Sequence, residues 1–382
     1  MRLSQLASDD PRDVVRALRG AVLGAGPAVA LGATADLPDE VPPGTAVVVT
    51  TSGSTGHPKS VALSRSSLTA SALATADRIG SGTWLLALPA SYVAGVQVIV
   101  RALVAGRDPA ILAGAFTPAA FTAAALSMAS AEHGERIPTF TSLVPAQLQT
   151  LVEAAETDAG TARALASFRA VLIGGQALPE ALAERAATLG ARIVRTYGSS
   201  ETSGGCVYDG IPLDGVRVRV ADGEVQITGP TLADGYLGDP DRTAASFPRD
   251  PDGTRWYRTG DAGVVADGVL RVTGRLDNVI ISGGVNVSLD RVEQAVRTLS
   301  GLTGAVVVPT ADERWGAASV VVVPAAALGG RSEAVVLEEV RRVVAEQIGT
   351  PARPRELLVV EEMPRLSSGK PDRALLRDLL AE

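Results

Sequence analysis

The chain has 382 residues, of which 46% are hydrophobic and 20% charged, and its formal net charge is −7. This length favours two domains with a substantial core, the composition excludes a disordered chain, and the negative charge argues against a nucleic-acid partner. The chain has a single cysteine, Cys206, which excludes a disulfide framework and a cysteine metal cluster. It has two histidines, His57 and His133, which provide few ligands for a zinc site.

Targeting signals are absent from the sequence. Asp9 and Asp10 precede any apolar run, and the longest apolar stretches, 21–33 and 317–329, are too short to span a bilayer. We therefore expect a cytoplasmic protein without membrane insertion and without a nucleic-acid partner. The oligomeric state, including a homo-oligomer, stays open.

Strands and helices alternate in the first part of the chain. This alternation favours an α/β body of doubly wound, mostly parallel sheets. The hydrophobic periodicity predicts helices over 12–31, 66–78, 93–105, 118–131, 146–155 and 179–189, and strands over 46–50, 84–88, 170–173 and 192–197.

From about residue 207 the pattern changes to short alternating runs between Asp-Gly and Gly-Pro turns, which predict an antiparallel β subdomain. Past residue 275 a compact α+β pattern follows. We expect a large N-terminal body over 1–274, a connection at 275–278 and a small C-terminal domain over 279–382. The strands predicted in these parts are 216–220, 224–228, 269–273, 279–281, 305–308 and 319–323, and the helices are 289–299 and 334–347.

The loop after the strand 46–50 has a composition suited to phosphate oxygens. Residues 50–59 read Thr-Thr-Ser-Gly-Ser-Thr-Gly-His-Pro-Lys, and they combine hydroxyl donors, two glycines that permit close approach, and a cation. They do not form a Walker A loop, because Pro58 stands where that motif needs a glycine before the lysine. On local features alone, a phosphate loop of another kind and a plain Ser/Gly-rich turn both stay open.

Lysine use is a second signal. Lys59 and Lys370 are the two lysines among 35 basic residues, and both lie in loops rich in glycine, serine and proline. Genome composition explains the arginine bias, but a site that needs one compact cation on one oxygen would retain a lysine.

Four further clusters can carry chemistry. Residues 195–205 offer an aromatic ring, hydroxyls and Glu201, which could hold Mg²⁺, and residues 256–261 place Asp261 in a turn. The others are 274–286, with Asp277 and a Gly-Gly pair, and 364–373, which contains Lys370. Taken singly, each is also compatible with an ordinary polar loop.

In this order and spacing, the five clusters resemble the adenylate-forming superfamily of acyl-CoA synthetases, luciferases and adenylation domains. The resemblance covers roughly residues 45–382 and implies a mobile C-terminal domain that rotates about Asp277. It implies ATP with Mg²⁺, formation of an acyl-adenylate, and transfer of the acyl group to a thiol, with CoA as co-substrate.

The resemblance assigns roles to matching positions. Lys370 matches the catalytic lysine of adenylation, Glu201 the Mg²⁺ ligand, and Gly283 and Gly284 the loop presented to the thiol. Phosphate contacts match Thr51, Ser52, Gly53, Ser54, Thr55, Gly56, Lys59 and Ser200; adenine and ribose contacts match Gly174, Gly175, Gln176, Tyr197, Asp261 and Arg275. Ser60 stands where the family usually has glycine.

Residues 88–97 and 142–148 are similar to the o-succinylbenzoate–CoA ligases of menaquinone synthesis, and the arginine- and alanine-rich texture is similar to actinobacterial examples. This places Tyr92, Gly95 and Gln97 in the acid pocket, although Ser91 and Tyr92 stand where many relatives have histidine. The alternatives are an adenylation enzyme that activates another aryl or acyl acid for CoA or a carrier protein, a P-loop NTPase or kinase, which Pro58 disfavours, and a non-catalytic nucleotide-binding module.

Overall fold

The computed structural model describes residues 1–32, 37–51, 59–128, 131–132, 134–312, 315–366 and 369–380. The chain divides into two compact units. The large unit comprises Met1–Arg219, Gln226–Thr259 and Ala266–Leu270, and the small unit comprises Val220–Val225, Gly260–Val265 and Arg271–Glu382. Both contain helices and strands, so the expected mixed α/β class is confirmed.

Helices of the described chain follow the apolar periodicity closely. Most predicted helices agree with the structure to within a few residues, whereas the helices Ala159–Ser167, Pro240–Ser246 and Arg373–Asp378 were not predicted. The helices are Pro11–Leu23, Arg65–Ile79, Val93–Val104, Pro118–Ser127, Pro145–Ala155, Ala159–Ser167, Glu180–Thr188, Pro240–Ser246, Leu289–Arg297, Glu333–Gln347 and Arg373–Asp378.

The N-terminal helix ends much earlier than predicted. Asp10 caps its start by accepting from the Arg12 amide at 2.8 Å, and Gly24 ends it in a left-handed conformation with φ of 82°. The segment Ala28–Leu31 is a buried strand, so the helix predicted over 12–31 is wrong in its second half. Short apolar runs are ambiguous between helix and strand, and here the glycine decides. The helix predicted over 118–131 likewise ends at Ser127.

A mixed sheet of the large unit contains the strands on either side of residues 52–58. Its strands lie in the order Leu3–Gln5, Ala28–Leu31, Thr45–Thr51, Lys59–Ser64 and Gly235–Tyr236. The first pairs are parallel, but Thr45–Thr51 and Lys59–Ser64 pair antiparallel, with Thr51 opposite Lys59. The strand Lys59–Ser64 was not predicted. It places Lys59 at the end of the strand pair, opposite Thr51.

The second sheet of the large unit agrees better with the doubly wound expectation. Parallel pairs join Ala170–Ile173 to Ile193–Ser199 on one side and to Thr139–Leu143 on the other. Helices pack on it around a core that includes Phe121, Phe168 and Leu148. Its strand order is Ile211–Pro212, Gly204–Tyr208, Ile193–Ser199, Ala170–Ile173, Thr139–Leu143, Thr83–Leu86 and Ala110–Ile111, and the short pair Ala131–Glu132 and Glu135–Arg136 lies apart from it.

The small unit is built on a sheet buried on both faces. Along Val306–Asp312 and Gly316–Pro324, alternate valines face opposite ways, as a strand requires. One set packs against the helices Leu289–Arg297 and Glu333–Gln347, and the other set packs around Leu376. The other strands of this sheet are Val279–Ser282, Val285–Ser288 and Glu356–Val360.

The division between the units runs through the segment predicted as an antiparallel β subdomain. Its strands are Arg217–Ala221, Glu224–Thr228, Tyr257–Ala266 and Val269–Arg275. The boundaries 1–274, 275–278 and 279–382 stay a prediction. Within the described residues, no helix combines the length and the apolar character needed to cross a membrane.

Candidate active site

Of the segment predicted to bind phosphate, the structure describes Thr51 and Lys59, which end the paired strands Thr45–Thr51 and Lys59–Ser64. Ser52, Gly53, Ser54, Thr55, Gly56 and His57 lie outside the described residues, as does His133. Thr51 is described, and its Oγ1 is buried without a hydrogen-bond partner among the described residues. A buried hydroxyl of this kind lacks the partner that a ligand oxygen would supply. The Ser60 hydroxyl lies 3.1 Å from Thr50 Oγ1, so the residue that departs from the family pattern is held within the strand pair.

Lys59 meets Glu201 at the edge of this strand pair. The Lys59 Nζ donates to Glu201 Oε1 at 2.6 Å. The hydroxyl of Tyr236 donates to the same oxygen at 2.9 Å, and Nζ lies 5.2 Å from the centre of the Tyr236 ring. Strand pairing explains the contact, because Gly235–Tyr236 lies beside Lys59–Ser64 in the sheet. Tyr236 was missed in the sequence, since the partner of a strand this short carries no local signal.

The charge of Glu201 is maintained although the residue is 3% exposed. Burial by itself would raise the pKa of this carboxyl, but the nearby Lys59 charge and hydrogen bonds outweigh it and lower the pKa below its ordinary value. Burial and the Glu201 charge raise the pKa of Tyr236, so its hydroxyl keeps its proton. The site therefore holds an ionised carboxylate at neutral pH.

A carboxylate of this kind fits Mg²⁺, which prefers oxygen ligands and takes one or two protein carboxylates together with phosphate oxygens of a substrate. The described residues contain no group of three or more acidic, histidine or cysteine side chains that could hold a metal by themselves. A metal bound by Glu201 would therefore need further oxygen ligands, which the phosphate groups of a substrate can supply.

The predicted adenine turn follows the strand Ala170–Ile173. A Cβ on Gly174 would lie 2.4 Å from Thr196 Oγ1, and Gly175 has φ of 82°, so the turn requires both glycines. The Nε2 of Gln176 is buried without a partner among the described residues. Tyr197 is partly buried on the neighbouring strand Ile193–Ser199. Since these strands are parallel, the turn and Tyr197 lie at the same edge of the sheet.

Ser200 and Glu201 lie on a short 3-10 turn that Thr202 stabilises. The Thr202 hydroxyl accepts from the Ser199 amide at 2.9 Å and donates to Gly204 O at 2.7 Å. The next residue, Ser203, has φ of 53° and donates to Ser67 Oγ at 3.1 Å. This network orients Glu201 towards the strand pair.

The residues predicted for the acid pocket lie on or beside the helix Val93–Val104. Gly95 packs so closely on Pro89 that a Cβ would lie 2.1 Å from its carbonyl oxygen. Gln97 is 1% exposed, and its Oε1 has no partner among the described residues. Tyr92 is partly buried just before the helix begins.

One helical turn beyond Gln97, Arg101 is a buried cation that sequence reasoning missed. Its Nη2 donates to Tyr208 Oη at 3.1 Å, and its guanidinium stacks 5.0 Å from the centre of the Trp84 ring. Among the described residues no carboxylate pairs with it, its Nε has no partner, and burial lowers its pKa. The sequence did carry a signal for it, because Arg101 is the one basic residue of the largely apolar helix Val93–Val104.

Asp261, Arg275 and Asp277 meet in the small unit. Arg275 Nη1 donates to Asp261 at 3.1 Å, while its Nε and Nη2 donate to the two oxygens of Asp277 at 3.0 and 3.1 Å. Hydrogen bonds from Arg275 lower the pKa of Asp277. The predicted ribose pair and the predicted hinge are thus joined by one guanidinium.

Gly283 and Gly284 form the turn between the strands Val279–Ser282 and Val285–Ser288. Their φ values of 58° and 82° fit a two-residue hairpin turn that favours glycine. A Cβ on Gly283 would lie 2.4 Å from the ring of Trp315, which is 45% exposed. Trp315 is a third residue that the sequence analysis missed.

Lys370 lies exposed in a turn of the small unit, where its carbonyl accepts from the Leu366 amide at 2.8 Å. Cys206 lies in the large unit, and burial raises the pKa of its thiol to about 12. A thiol with so high a pKa is a poor nucleophile.

The chain is similar to known proteins over most of its length. Residues 5–237 match the family described as AMP-binding enzyme, and residues 291–370 match the AMP-binding enzyme C-terminal domain. The chain is 43% identical over 339 residues to a probable 2-succinylbenzoate–CoA ligase of Mycobacterium tuberculosis, covering 87% of this chain and 83% of that protein.

Two further proteins are similar over comparable lengths. A 2-succinylbenzoate–CoA ligase of Enterococcus faecalis is 28% identical, over 85% of this chain and 67% of that protein. The o-succinylbenzoate CoA synthetase of Bacillus subtilis, solved in complex with its acyl-adenylate intermediate, superimposes with a TM-score of 0.71. It is 25% identical, over 87% of this chain and 69% of that chain.

Proposed function

The chain belongs to the AMP-binding enzyme family, and on that premise we propose that it is an ATP-dependent acid–CoA ligase of menaquinone biosynthesis. The reaction converts o-succinylbenzoate, ATP and CoA into o-succinylbenzoyl-CoA, AMP and pyrophosphate through an acyl-adenylate. The observation that carries the proposal is the contact of Lys59 with Glu201, because it brings the hydroxyl-rich segment and a buried carboxylate to one place. The similarity to 2-succinylbenzoate–CoA ligases supports the choice of acid.

In the first step, a substrate carboxylate attacks the α-phosphate of ATP and pyrophosphate leaves. Both reactants are anions, so cations must offset the charge that accumulates in the transition state. Glu201 would hold Mg²⁺, which when bound neutralises charge on the phosphate oxygens. Lys59 exchanges its contact with Glu201 for a phosphate oxygen, and Thr51 and Ser200 supply hydroxyl donors. Lys370 supplies a further cation.

The positions that match the family's adenine and ribose contacts would bind adenosine. The turn of Gly174, Gly175 and Gln176 lies against adenine, and Tyr197 stacks on it. Asp261 accepts from ribose hydroxyls, and Arg275 holds the Asp261 carboxylate in place.

Arg101 recognises the second carboxylate of the acid. A buried guanidinium without a carboxylate partner among the described residues is costly, and an anionic substrate group supplies the missing partner. Gln97 lies on the same face of the helix, one turn nearer its start, and offers the acid a polar lining together with Tyr92 and Gly95. This accounts for a diacid rather than a simple fatty acid.

In the second step, the thiol of CoA attacks the carbonyl of the acyl-adenylate and AMP leaves. A rotation of the C-terminal domain about Asp277 withdraws Lys370 and presents the Gly283–Gly284 turn to the thiol. No cysteine of the chain takes part, in keeping with the buried thiol of Cys206.

The test is pyrophosphate release from ATP with o-succinylbenzoate, with and without CoA, together with mass spectrometry of the products. We expect pyrophosphate, AMP and the CoA thioester, and an acyl-adenylate when CoA is omitted. Turnover with another aryl or fatty acid alone would retain the chemistry and refute the substrate. Release of ADP and phosphate would refute the reaction itself.

A further inference from the structure

A buried carboxylate of the small unit, Glu293, contacts the segment that follows Lys370. The Nη2 of Arg373 donates to Glu293 Oε2 at 2.5 Å, and its Nη1 donates to the Val307 carbonyl at 2.6 Å. The Val307 amide donates to the same Oε2 at 2.9 Å, while Arg297 pairs with Oε1 at 2.8 Å. Glu293 thus connects a helix, a strand and the segment after Lys370. We name this group of contacts the Glu293 clamp.

Backbone contacts fix Lys370 to that same segment. The Leu366 amide donates to the Lys370 carbonyl at 2.8 Å, and the Asp372 amide donates to the Pro364 carbonyl at 2.9 Å. Arg365 Nη1 donates to the Gly369 carbonyl at 2.9 Å. The position of Lys370 therefore follows the position of the residues at the base of this turn.

The helix that begins at Arg373 cannot hold this position by itself. It spans Arg373–Asp378, and a helix this short is not stable in isolation. Its attachment depends on the buried side chain of Leu376 and on the clamp. The apolar contacts of Leu376 with the surrounding valines hold the helix on the sheet but do not fix its exact position. The planar Arg373 guanidinium does fix that position, because it donates to both the Glu293 carboxylate and the Val307 carbonyl.

We propose that Arg373 and Glu293 are positioning residues that hold the turn of Lys370 in place on the small unit for the adenylation step. The inference rests on the proposed function, in which Lys370 acts on the phosphate in that step. The Glu293 side chain is 8% exposed, and removing Arg373 leaves its Oε2 with the Val307 amide alone. The segment after Lys370 then loses its charged contact and gains other arrangements. Misplacing a reacting group by 1 Å can cost about 10²-fold in rate.

The experiment compares Arg373→Met, Glu293→Gln and Arg373→Lys in the full chain. Arg377→Met is the matched control, because Arg377 lies one turn further along the same helix, is exposed, and donates to the Arg373 carbonyl. Hydrogen exchange is measured on peptides covering 364–372 and on the rest of the small unit. Pyrophosphate release and thioester formation from a supplied acyl-adenylate are measured separately.

We expect Arg373→Met and Glu293→Gln to accelerate exchange within 364–372 by about tenfold or more without loosening the rest of the unit. Pyrophosphate release should fall by about 10²-fold at unchanged KM for ATP, while thioester formation is retained. Arg373→Lys should recover part of both losses because it retains the charge, and Arg377→Met should match the unsubstituted chain.

Two outcomes would overturn the inference. One is exchange within 364–372 at the original rate in Arg373→Met. The other is faster exchange across the whole small unit with equal loss of both half-reactions. That result would mean that the Glu293 clamp stabilises the unit as a whole and does not specifically position the turn of Lys370. If the unsubstituted chain released no pyrophosphate with any acid, the proposed function would fail, and exchange within 364–372 would still decide whether the clamp holds the turn.

Discussion

The ammonium of Lys59 lies 2.6 Å from Oε1 of Glu201, although 142 positions separate the two residues in the chain. Tyr236 donates to the same oxygen, so one buried carboxylate is shared by a cation and a hydroxyl. Each charge of this pair is therefore offset by the other. Under the proposed function, Mg²⁺ would replace Lys59 at Glu201, and a phosphate oxygen would replace Glu201 at Lys59.

The pair predicts a pH-dependent contribution to stability. Glu201→Gln removes the ion pair, and we expect the free energy of unfolding to fall by about 1–3 kcal/mol at pH 7. Since the pKa of Glu201 is lowered in the folded chain, this contribution is complete above the unfolded value of about 4.3. It is lost as the pH falls through the folded pKa.

Urea unfolding between pH 3 and pH 7 checks this expectation, with Glu184→Gln as an exposed control. A difference between the unsubstituted chain and Glu201→Gln that stays constant over that range would contradict the ion-pair account.

Lys370→Ala should lower pyrophosphate release by about 10²–10³-fold, because a cation that offsets transition-state charge is removed. Thioester formation from a supplied acyl-adenylate should be largely spared, since that step forms no new bond to phosphorus. Separate assays of the two half-reactions provide the measurement. Lys370→Arg should recover part of the first step, and equal loss in both steps would refute the role of Lys370.

Asp277→Pro should impair thioester formation more than adenylation, because proline restricts the φ rotation that a hinge needs. Asp277→Ala is the matched control: it removes the two hydrogen bonds from Arg275 but leaves the backbone free. The ratio of the two half-reaction rates in each variant is the measurement. The hinge would be refuted if the proline and alanine variants had the same ratio.

Gly283→Ala should displace the ring of Trp315, because a Cβ there would lie 2.4 Å from it, whereas a Cβ on Gly284 faces open space. Both positions have positive φ, so both alanine variants carry about 1–2 kcal/mol of backbone strain. Trp84 and Trp256 are buried, so acrylamide quenching of fluorescence reports mainly on Trp315. We expect Gly283→Ala alone to change the quenching and to slow thioester formation further than Gly284→Ala does; identical behaviour would refute the packing role.

Arg101→Met should lower kcat/KM for o-succinylbenzoate by about 10- to 100-fold, because the substrate carboxylate loses a charge-assisted hydrogen bond. An acid of the same size without the second carboxylate should be affected much less. Arg163→Met, at an exposed helical position, serves as control, and urea unfolding checks that the core is retained. Equal loss with both acids would assign Arg101 to packing against Trp84 instead.

Much of the fold follows from local composition. The strand predicted over 170–173 has those bounds in the structure, and the predicted helices of the small unit begin and end close to their observed limits. Apolar periodicity succeeds where one face is buried, because the period itself distinguishes a helix from a strand. It failed for the strand Lys59–Ser64, whose first residues are polar, and for Ala28–Leu31, whose apolar run continues that of the preceding helix.

The candidate site divides in the same way. The loops of Lys59, Glu201 and Lys370 could be recognised from the chain alone because their order and spacing resemble those of the adenylate-forming superfamily, although each loop by itself is compatible with an ordinary polar loop. Which of their atoms meet is a property of strand pairing and helix packing. The contacts of Glu201 with Lys59, of Arg101 with Tyr208 and of Glu293 with Arg373 join segments far apart in sequence. Only the tertiary structure decides them, because a buried charged group needs a polar partner and packing determines which one lies within reach.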